Sequence, residues 1–297
     1  MLKLAALIAI CISSAQAQVE IKLTDLDGRT AEYEHKYSTH LTSDRGVQLA
    51  YGAGDEVDIE VLGSWKSQET RAVNDSGVVV STTVIKDGDS WAKQNGRKLT
   101  FEQYPFNIGQ MNDESYSWEL TPGGVKNLKP DFRPWSIRQR TDTINELAMV
   151  WFPGIMPVLP DGPVKEGDTW EGESTVERRF YKLGAGDKSY KMTISSKYEV
   201  KKIEEKKGNA IVEIREEREI DYTGWVEVVS FSVLLEEGSG SGSADWEIDA
   251  TNGVVTKCEY KMNVNRPLLR TYGAEYPVPD AESNYLMVYD SQLKKLK

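Results

Sequence analysis

The sequence is poor in the residues with which most hydrolases and metalloproteins work. Its 297 residues include two histidines and two cysteines. His35 and His40 lie in the run AEYEHKYSTHL, where aromatic or apolar residues alternate with polar ones, and their odd separation sends them to opposite faces of a strand. They therefore do not meet on one zinc ion. No CxxC, HExxH or calcium-loop pattern occurs, so no metal and no cofactor is expected. A nucleophilic serine would have only those two histidines as bases, and there is no GxSxG elbow. Nothing in the pattern brings Cys258 to either histidine. A hydrolase using paired carboxylates is the residual enzymatic reading, since 47 acidic residues guarantee some proximity.

Positive charge is also short. The 36 Lys and Arg against 47 Asp and Glu leave a formal charge of −11, which argues against nucleic acid and anionic lipid surfaces as partners, because both demand clustered basic residues. The locally basic ending SQLKKLK reads as a solvated, frayed terminus. Long apolar runs are missing as well: past the first residues nothing approaches the roughly 18 consecutive apolar positions of a membrane-spanning helix. The opening MLKLAALIAICISSAQAQ has Lys3 before an apolar stretch from Leu4 to Ile12 and small residues at Ala15-Gln16-Ala17. That is the pattern of a secretory leader cleaved after Ala17, and Ile10 before Cys11 disfavours a lipoprotein signal. Cleavage removes Lys3 and Cys11, takes the charge from −11 to −12 and leaves Cys258 as the single thiol. The mature chain is thus expected in the periplasm or outside the cell, without an internal disulfide.

What the chain has in quantity is period-two alternation bounded by turn residues. Tyr33, His35, Tyr37, Thr39 and Leu41 share one face. Val57, Ile59, Val61, Gly63 and Trp65 repeat the pattern, and similar runs follow to "GVVTKCEYKMNV", where Cys258 faces inward with Tyr260 and Met262. The connectors hold Asn74-Asp75-Ser76-Gly77, Asp87-Gly88, Asn95-Gly96, Lys207-Gly208-Asn209 and Asn252-Gly253, residues that tolerate positive φ. Short links imply antiparallel neighbours, so the expected class is mainly β, with curved, half-barrel-like antiparallel sheets. One segment departs from the pattern: Ile137, Ile144, Leu147, Ala148 and Trp151 recur at helical spacing, predicting a central amphipathic helix over about 136–152 that lies on a sheet. The Pro-rich stretch after it divides the mature chain into an N-terminal half, 18–158, and a C-terminal half, 159–297. A short match between the halves, Trp118-Glu119-Leu120 against Trp246-Glu247-Ile248, each before a Gly-bearing turn, favours duplication.

The stretch EEGSGSGSADWEID, 236–249, resembles a flexible linker. Its phase argues otherwise: Gly238, Gly240, Gly242 and Ala244 share the face of Trp246 and Ile248, which a linker has no reason to maintain. The segment reads as a strand with a bare glycine stripe, costing about 0.5–1 kcal/mol per glycine and justified by close packing of a helix or by sharp sheet coiling. The preceding WVEVVSFSVLLEE reads as one strand, apolar on both faces. In NAIVEIREEREIDY, Glu216 and Arg218 fall on the apolar face, as a buried pair, the lining of a wet cavity or the strand's exposed end. Eight tryptophans and fourteen tyrosines are more than a strand scaffold requires. Trp65, Trp118, Trp170 and Trp246 lie on inferred inner faces, where they fill a core or line a concave ligand site.

The motif Pro163-Val164-Lys165-x-Gly167-Asp168-Thr169-Trp170, followed by the GSADWEIDATNGVV hairpin, resembles a group of uncharacterised exported bacterial β-rich proteins. The resemblance covers mainly the second half and implies structure, not catalytic residues. A curved sheet with a helix in its concavity is, more distantly, similar to the half-barrel of periplasmic lipoprotein carriers. Together these imply a non-enzymatic envelope protein that binds an apolar or extended ligand, with a lipid, a lipoprotein or an envelope protein as partner. The alternative is a structural or protein-interaction module of the envelope.

Overall fold

The computed structural model describes residues 18–24, 26, 28–43, 57–100, 108–130, 155–179, 189–228, 231–272 and 281–296. The helix expected over 136–152 and the leader over 1–17 lie outside the described residues. Twelve strands follow in order: β1 Ala31–Ser43, β2 Val57–Val73, β3 Val79–Gln94, β4 Arg97–Lys98, β5 Ser115–Thr121, β6 Gly124–Pro130, β7 Thr169–Arg179, β8 Ser189–Lys206, β9 Asn209–Val228, β10 Phe231–Asp249, β11 Val254–Tyr272 and β12 Ala281–Lys295. They make one antiparallel sheet in the order β6-β5-β3-β2-β1-β12-β11-β10-β9-β8-β7, with β4 appended to β3. The halves are therefore two arcs of one sheet and not two separate half-barrels. They join where β1 pairs with β12, from Tyr33↔Lys295 to Ser43↔Tyr285. The C-terminus is correspondingly not frayed: Leu293 is buried, and the Leu296 amide donates to the Glu32 carbonyl at 2.6 Å.

Alternation decides the two sides of this sheet. Tyr33, His35, Tyr37, Trp65, Tyr116, Trp118, Ile194, Ile214, Trp246, Tyr260 and Met262 are buried on one side. Outward positions carry Lys36, Glu34, Lys66, Lys201, Glu199, Arg215, Glu217, Lys257 and Glu259, many of them in exposed ion pairs that contribute at most about 1 kcal/mol each. Apolar burial at roughly 25 cal/mol per Å2 holds the fold, and the charged face keeps its outside wet.

The sheet is almost a barrel. Its two edges, β6 and β7, are bridged by the strap 155–159: the Leu159 amide donates to the Pro122 carbonyl at 2.8 Å, and the Val158 amide donates to the Tyr198 hydroxyl at 3.2 Å. The Trp170 indole donates to the Val158 carbonyl at 2.9 Å. At the end where β2 turns into β3, β8 into β9 and β10 into β11, Ile21 and Leu26 are buried, and Val19 pairs with Val164.

Two expectations need correction. Asp87-Gly88 is not a turn but a bulge inside β3: Ser64 pairs with Asp89 and Lys66 with Lys86, leaving two residues opposite Trp65. Asp87 adopts φ 49°, and the buried phase moves from Ile85 to Ala92 across it, as an inserted residue requires. The run WVEVVSFSVLLEE is not one strand: Trp225–Val228 ends β9 and Phe231 begins β10, with Phe231↔Val228 and Leu234↔Trp225 paired across the hairpin. Neither Val229 nor Ser230 announces a turn.

The glycine stripe is a strand, with the register running from Gly238↔Tyr222 to Asp249↔Ile211. A Cβ on Gly240 would lie 2.6 Å from the Asn263 carbonyl oxygen, and one on Gly242 would strike the Lys261 carbonyl oxygen and lie 2.9 Å from Met262 Cγ. The described packing supplies close approach of the β11 backbone to the stripe; a helix packed on it would lie outside the described residues.

Candidate functional site

Two carboxylate–guanidinium pairs are buried inside the apolar wall. On β9, Glu216 and Arg218 are two apart on the inward face, with side chains 2% exposed and Arg218 Nε 2.7 Å from Glu216 Oε1. Arg218 Nη2 donates to Glu216 Oε2 at 2.8 Å. The Ser196 hydroxyl of β8 donates to Glu216 Oε1 at 2.6 Å, and the Trp246 indole of β10 donates to Oε2 at 2.7 Å. Arg218 pairs across the ladder with Ser196 and with Gly242. Over those small neighbours its guanidinium reaches the Trp246 and Tyr260 rings, 5.7 and 5.3 Å from their centroids, a cation–π placement. Burial opposes the Arg218 charge, yet the adjacent Glu216 carboxylate more than offsets it and holds the guanidinium above its usual pKa. Of the three readings open for this pair, the structure takes the buried one.

The second pair was not singled out from sequence. Glu69 and Arg71 continue the inward phase of Trp65 along β2, a signal available by extending the alternation of VDIEVLGSW three steps. Arg71 Nε and Nη2 donate to Glu69 at 2.8 and 3.4 Å, and the Ser81 hydroxyl donates to Glu69 Oε1 at 2.6 Å. Arg71 Nη1 donates to the Gly253 carbonyl at 2.7 Å. The arrangement repeats that on β9: a Glu, an Arg two residues on, and a serine directly opposite the Arg on the adjacent strand, Ser81↔Arg71 and Ser196↔Arg218. Burial of the Glu69 carboxyl opposes ionisation, but Arg71 and the hydrogen bonds hold its pKa below the usual value.

The β9 pair borders a pocket. It opens at the β6/β7 seam as a small cavity of about 20 Å3, room for about one water molecule. Val125 of β6 and Ser174 and Thr175 of β7 stand on the two sides of the seam, and Met156 and Pro157 belong to the strap. Ile194, Tyr198, Glu216, Arg218 and Trp246 make the inner wall. The Tyr198 hydroxyl, raised in pKa by burial and by Glu216, stays neutral.

The four tryptophans do not converge. Trp246 lines the pocket and is 2% exposed. Trp170 is half-buried and stacks on the pocket residue Tyr198, with ring centroids 5.1 Å apart and planes at 15°. Trp65 lies in the other arc, stacked on His35 at 4.5 Å and 4°, and Trp118 is buried on β5. His35 is buried and hydrogen-bonds with Ser67 at 2.8 Å; burial pushes its pKa down to about 3. His40 stands on the outer face with Asp58 at 2.7 Å, so the two histidines do diverge. Burial also raises the Cys258 thiol pKa well above its usual value, leaving an apolar filler and no nucleophile.

No family model matches the chain, and no curated protein does. Among solved structures it is similar to an outer-membrane channel from Pseudomonas putida F1, with a TM-score of 0.24 and 7% identity over 94% of this chain and 98% of that one. It is also similar to the beta domain of the Bordetella autotransporter BrkA, with a TM-score of 0.24 and 10% identity over 90% and 99%. Scores of this size carry no argument about the present chain. Among the described residues no helix is long and apolar enough to cross a membrane. The sheet's own polarity is informative: a lipid-facing barrel wall is apolar outside and polar within, whereas here the outward side is charged and the inward side apolar.

Proposed function

We propose that the mature chain is an exported, non-enzymatic binding protein of the bacterial envelope that binds a small molecule with an apolar body and a polar group at the β6/β7 seam. The carrying observation is the pocket itself, where Val125, Met156, Ile194 and Trp246 supply apolar contact and the Glu216–Arg218 pair supplies polar contact at the inner wall. Ligand sites commonly combine an apolar lining with a few fixed polar groups. The secretory pattern of the first 17 residues supports export. Trp170 belongs to this reading through its stack on Tyr198, while Trp65 and Trp118 are packing residues of the wall. The partner is a lipid or the acyl group of a lipoprotein.

The test is native mass spectrometry of the chain from Gln18, exported to a bacterial periplasm and purified without detergent, beside the variant Ser174→Trp. Ser174 is half-buried at the seam, so an indole there fills the mouth without entering the core. The expected result is added mass in the lipid range on the parent protein, lost in the variant. Bare mass on both, together with no quenching of Trp246 fluorescence by added acyl compounds, would overturn the proposal.

A further inference from the structure

We propose that residues 155–159 are a displaceable latch over the ligand site, and that the small cavity at the seam is the closed form of that site; this rests on the β6/β7 seam being where the ligand binds. Met156 and Pro157 of the strap form part of the wall of the cavity of about 20 Å3, so withdrawing the strap removes one side of it and joins it to the space the strap fills. Val158 is seated most closely. A Cβ on Gly172 would lie 2.6 Å from both Cβ and Cγ1 of Val158, and one on Gly124 would lie 3.8 Å from Val158 Cγ2. The valine therefore rests on bare backbone at the β7 edge, beside the first residue of β6. Two aromatic side chains grip its main chain: the Val158 amide donates to the Tyr198 hydroxyl at 3.2 Å, and the Trp170 indole donates to the Val158 carbonyl at 2.9 Å, with the two rings stacked 5.1 Å apart. Ile155, Met156 and Leu159 are buried around it. An apolar residue whose polar groups are held at fixed points is what a small-molecule site receives, and the strap stands in the ligand's place.

The way the strap is held makes it releasable. β6 and β7 are the two ends of the strand order, and the strap crosses between them without entering either ladder. Pro157 and Pro160 flank Val158 and Leu159; a proline has no amide to donate, so the segment is unsuited to become a further strand. The hydrogen bonds of Val158 and Leu159 go to side chains of β7 and β8 and to the Pro122 carbonyl before β6. Rotation of Trp170 and Tyr198 about their side-chain bonds frees Val158 and leaves the β7–β8 register, from Thr169↔Glu199 to Arg179↔Ser189, in place. Opening is thus a local event that does not require global unfolding. A ligand that binds only the open form has its apparent affinity lowered by the fraction of molecules that are open. Minor states of this kind are about 0.1–10% populated, so a protein held open should bind at least about tenfold more tightly.

Amide hydrogen exchange and isothermal titration of the protein from Gln18, with methyl octanoate as the probe, test the latch in the parent and in two variants. Gly172→Ala adds a methyl group where Val158 sits, and Val158→Ala removes the side chain that sits there. One adds volume at the seam and the other subtracts it, so a weakened latch is what they share. In the parent, saturating probe should speed exchange of the Val158 and Leu159 amides at least about tenfold and leave the Trp246 and Ile248 amides of β10 unchanged. Both variants should show the fast exchange without probe and bind the probe at least about tenfold more tightly than the parent does. Should Gly172→Ala fail to fold, Val158→Ala carries the comparison. Probe bound to the parent with unaltered exchange at Val158 and Leu159, and bound no more tightly by the variants, would overturn the latch and keep the seam as a binding site. No binding to the parent or to either variant would overturn both.

Discussion

The glycine stripe of β10 gives the sharpest test of the packing. Gly242→Ala places a methyl group against the Lys261 carbonyl oxygen, with Met262 Cγ at 2.9 Å and Met262 Cα at 3.2 Å. Methionine can turn aside, but the carbonyl belongs to a β11 backbone whose register with β10 pairs Gly242 with Met262 and Ser243 with Lys261. Relief therefore requires the two strands to separate locally. Overpacking of this kind costs about 1–3 kcal/mol, while the loss of glycine freedom in the unfolded chain returns about 0.4–1 kcal/mol. The net expectation is a destabilisation of roughly 1–2 kcal/mol, read as a lower urea midpoint at unchanged slope. Gly162→Ala is the control: nothing lies within 4 Å of its Cβ position and its φ is not positive, so it should gain roughly 0.4–1 kcal/mol. If both variants stabilise the protein equally, the stripe does not exist to admit the neighbouring strand and the close-approach argument fails.

Two further outcomes follow from buried charge. His35 has a folded pKa of about 3 against 6.5 for the free side chain, so below pH 6.5 the unfolded chain binds the extra proton and stability falls as pH drops toward 3; at pH 5 the loss is about 2 kcal/mol. His35→Phe, which keeps a ring on Trp65, should flatten the denaturation profile between about pH 6.5 and 5, and an unchanged slope would refute the assignment. Glu216→Gln leaves the Arg218 charge uncompensated and should cost about 3–5 kcal/mol, whereas Glu217→Gln, on the exposed outer face, should cost less than about 1 kcal/mol; equal effects in thermal melts would contradict the buried-pair geometry.

The sites at which reading and structure part company share a cause. Asp87-Gly88 and Asn252-Gly253 look alike in sequence because the same residues serve a bulge and a turn; only the register of β2 against β3 separates them. Between Val228 and Phe231 the sequence offers no residue that tolerates positive φ, so one apolar stretch conceals the pairing of β9 with β10. Glu216 and Arg218 were visible as charges in an apolar phase, but whether they meet water depended on β8 and β10. Glu69 and Arg71 lay one extension of the phase beyond Trp65. The tryptophans were legible as inward-facing and illegible as a set, because alternation assigns a face and says nothing about which arc of the sheet the face belongs to.

By itself the sequence determined the strand class, the faces of most strands, the strand nature of 238–249 and the divergence of His35 from His40, because side-chain direction in a strand repeats every two residues and needs only neighbours along the chain. The tertiary structure alone decided that β1 closes on β12, that a seam remains between β6 and β7, and that one Glu–Arg pair is sealed by Gly253 while the other borders a pocket. Those outcomes depend on contacts between residues far apart along the chain, Arg71 with Gly253 and Val158 with Tyr198 among them, and no local period encodes which distant strand will arrive.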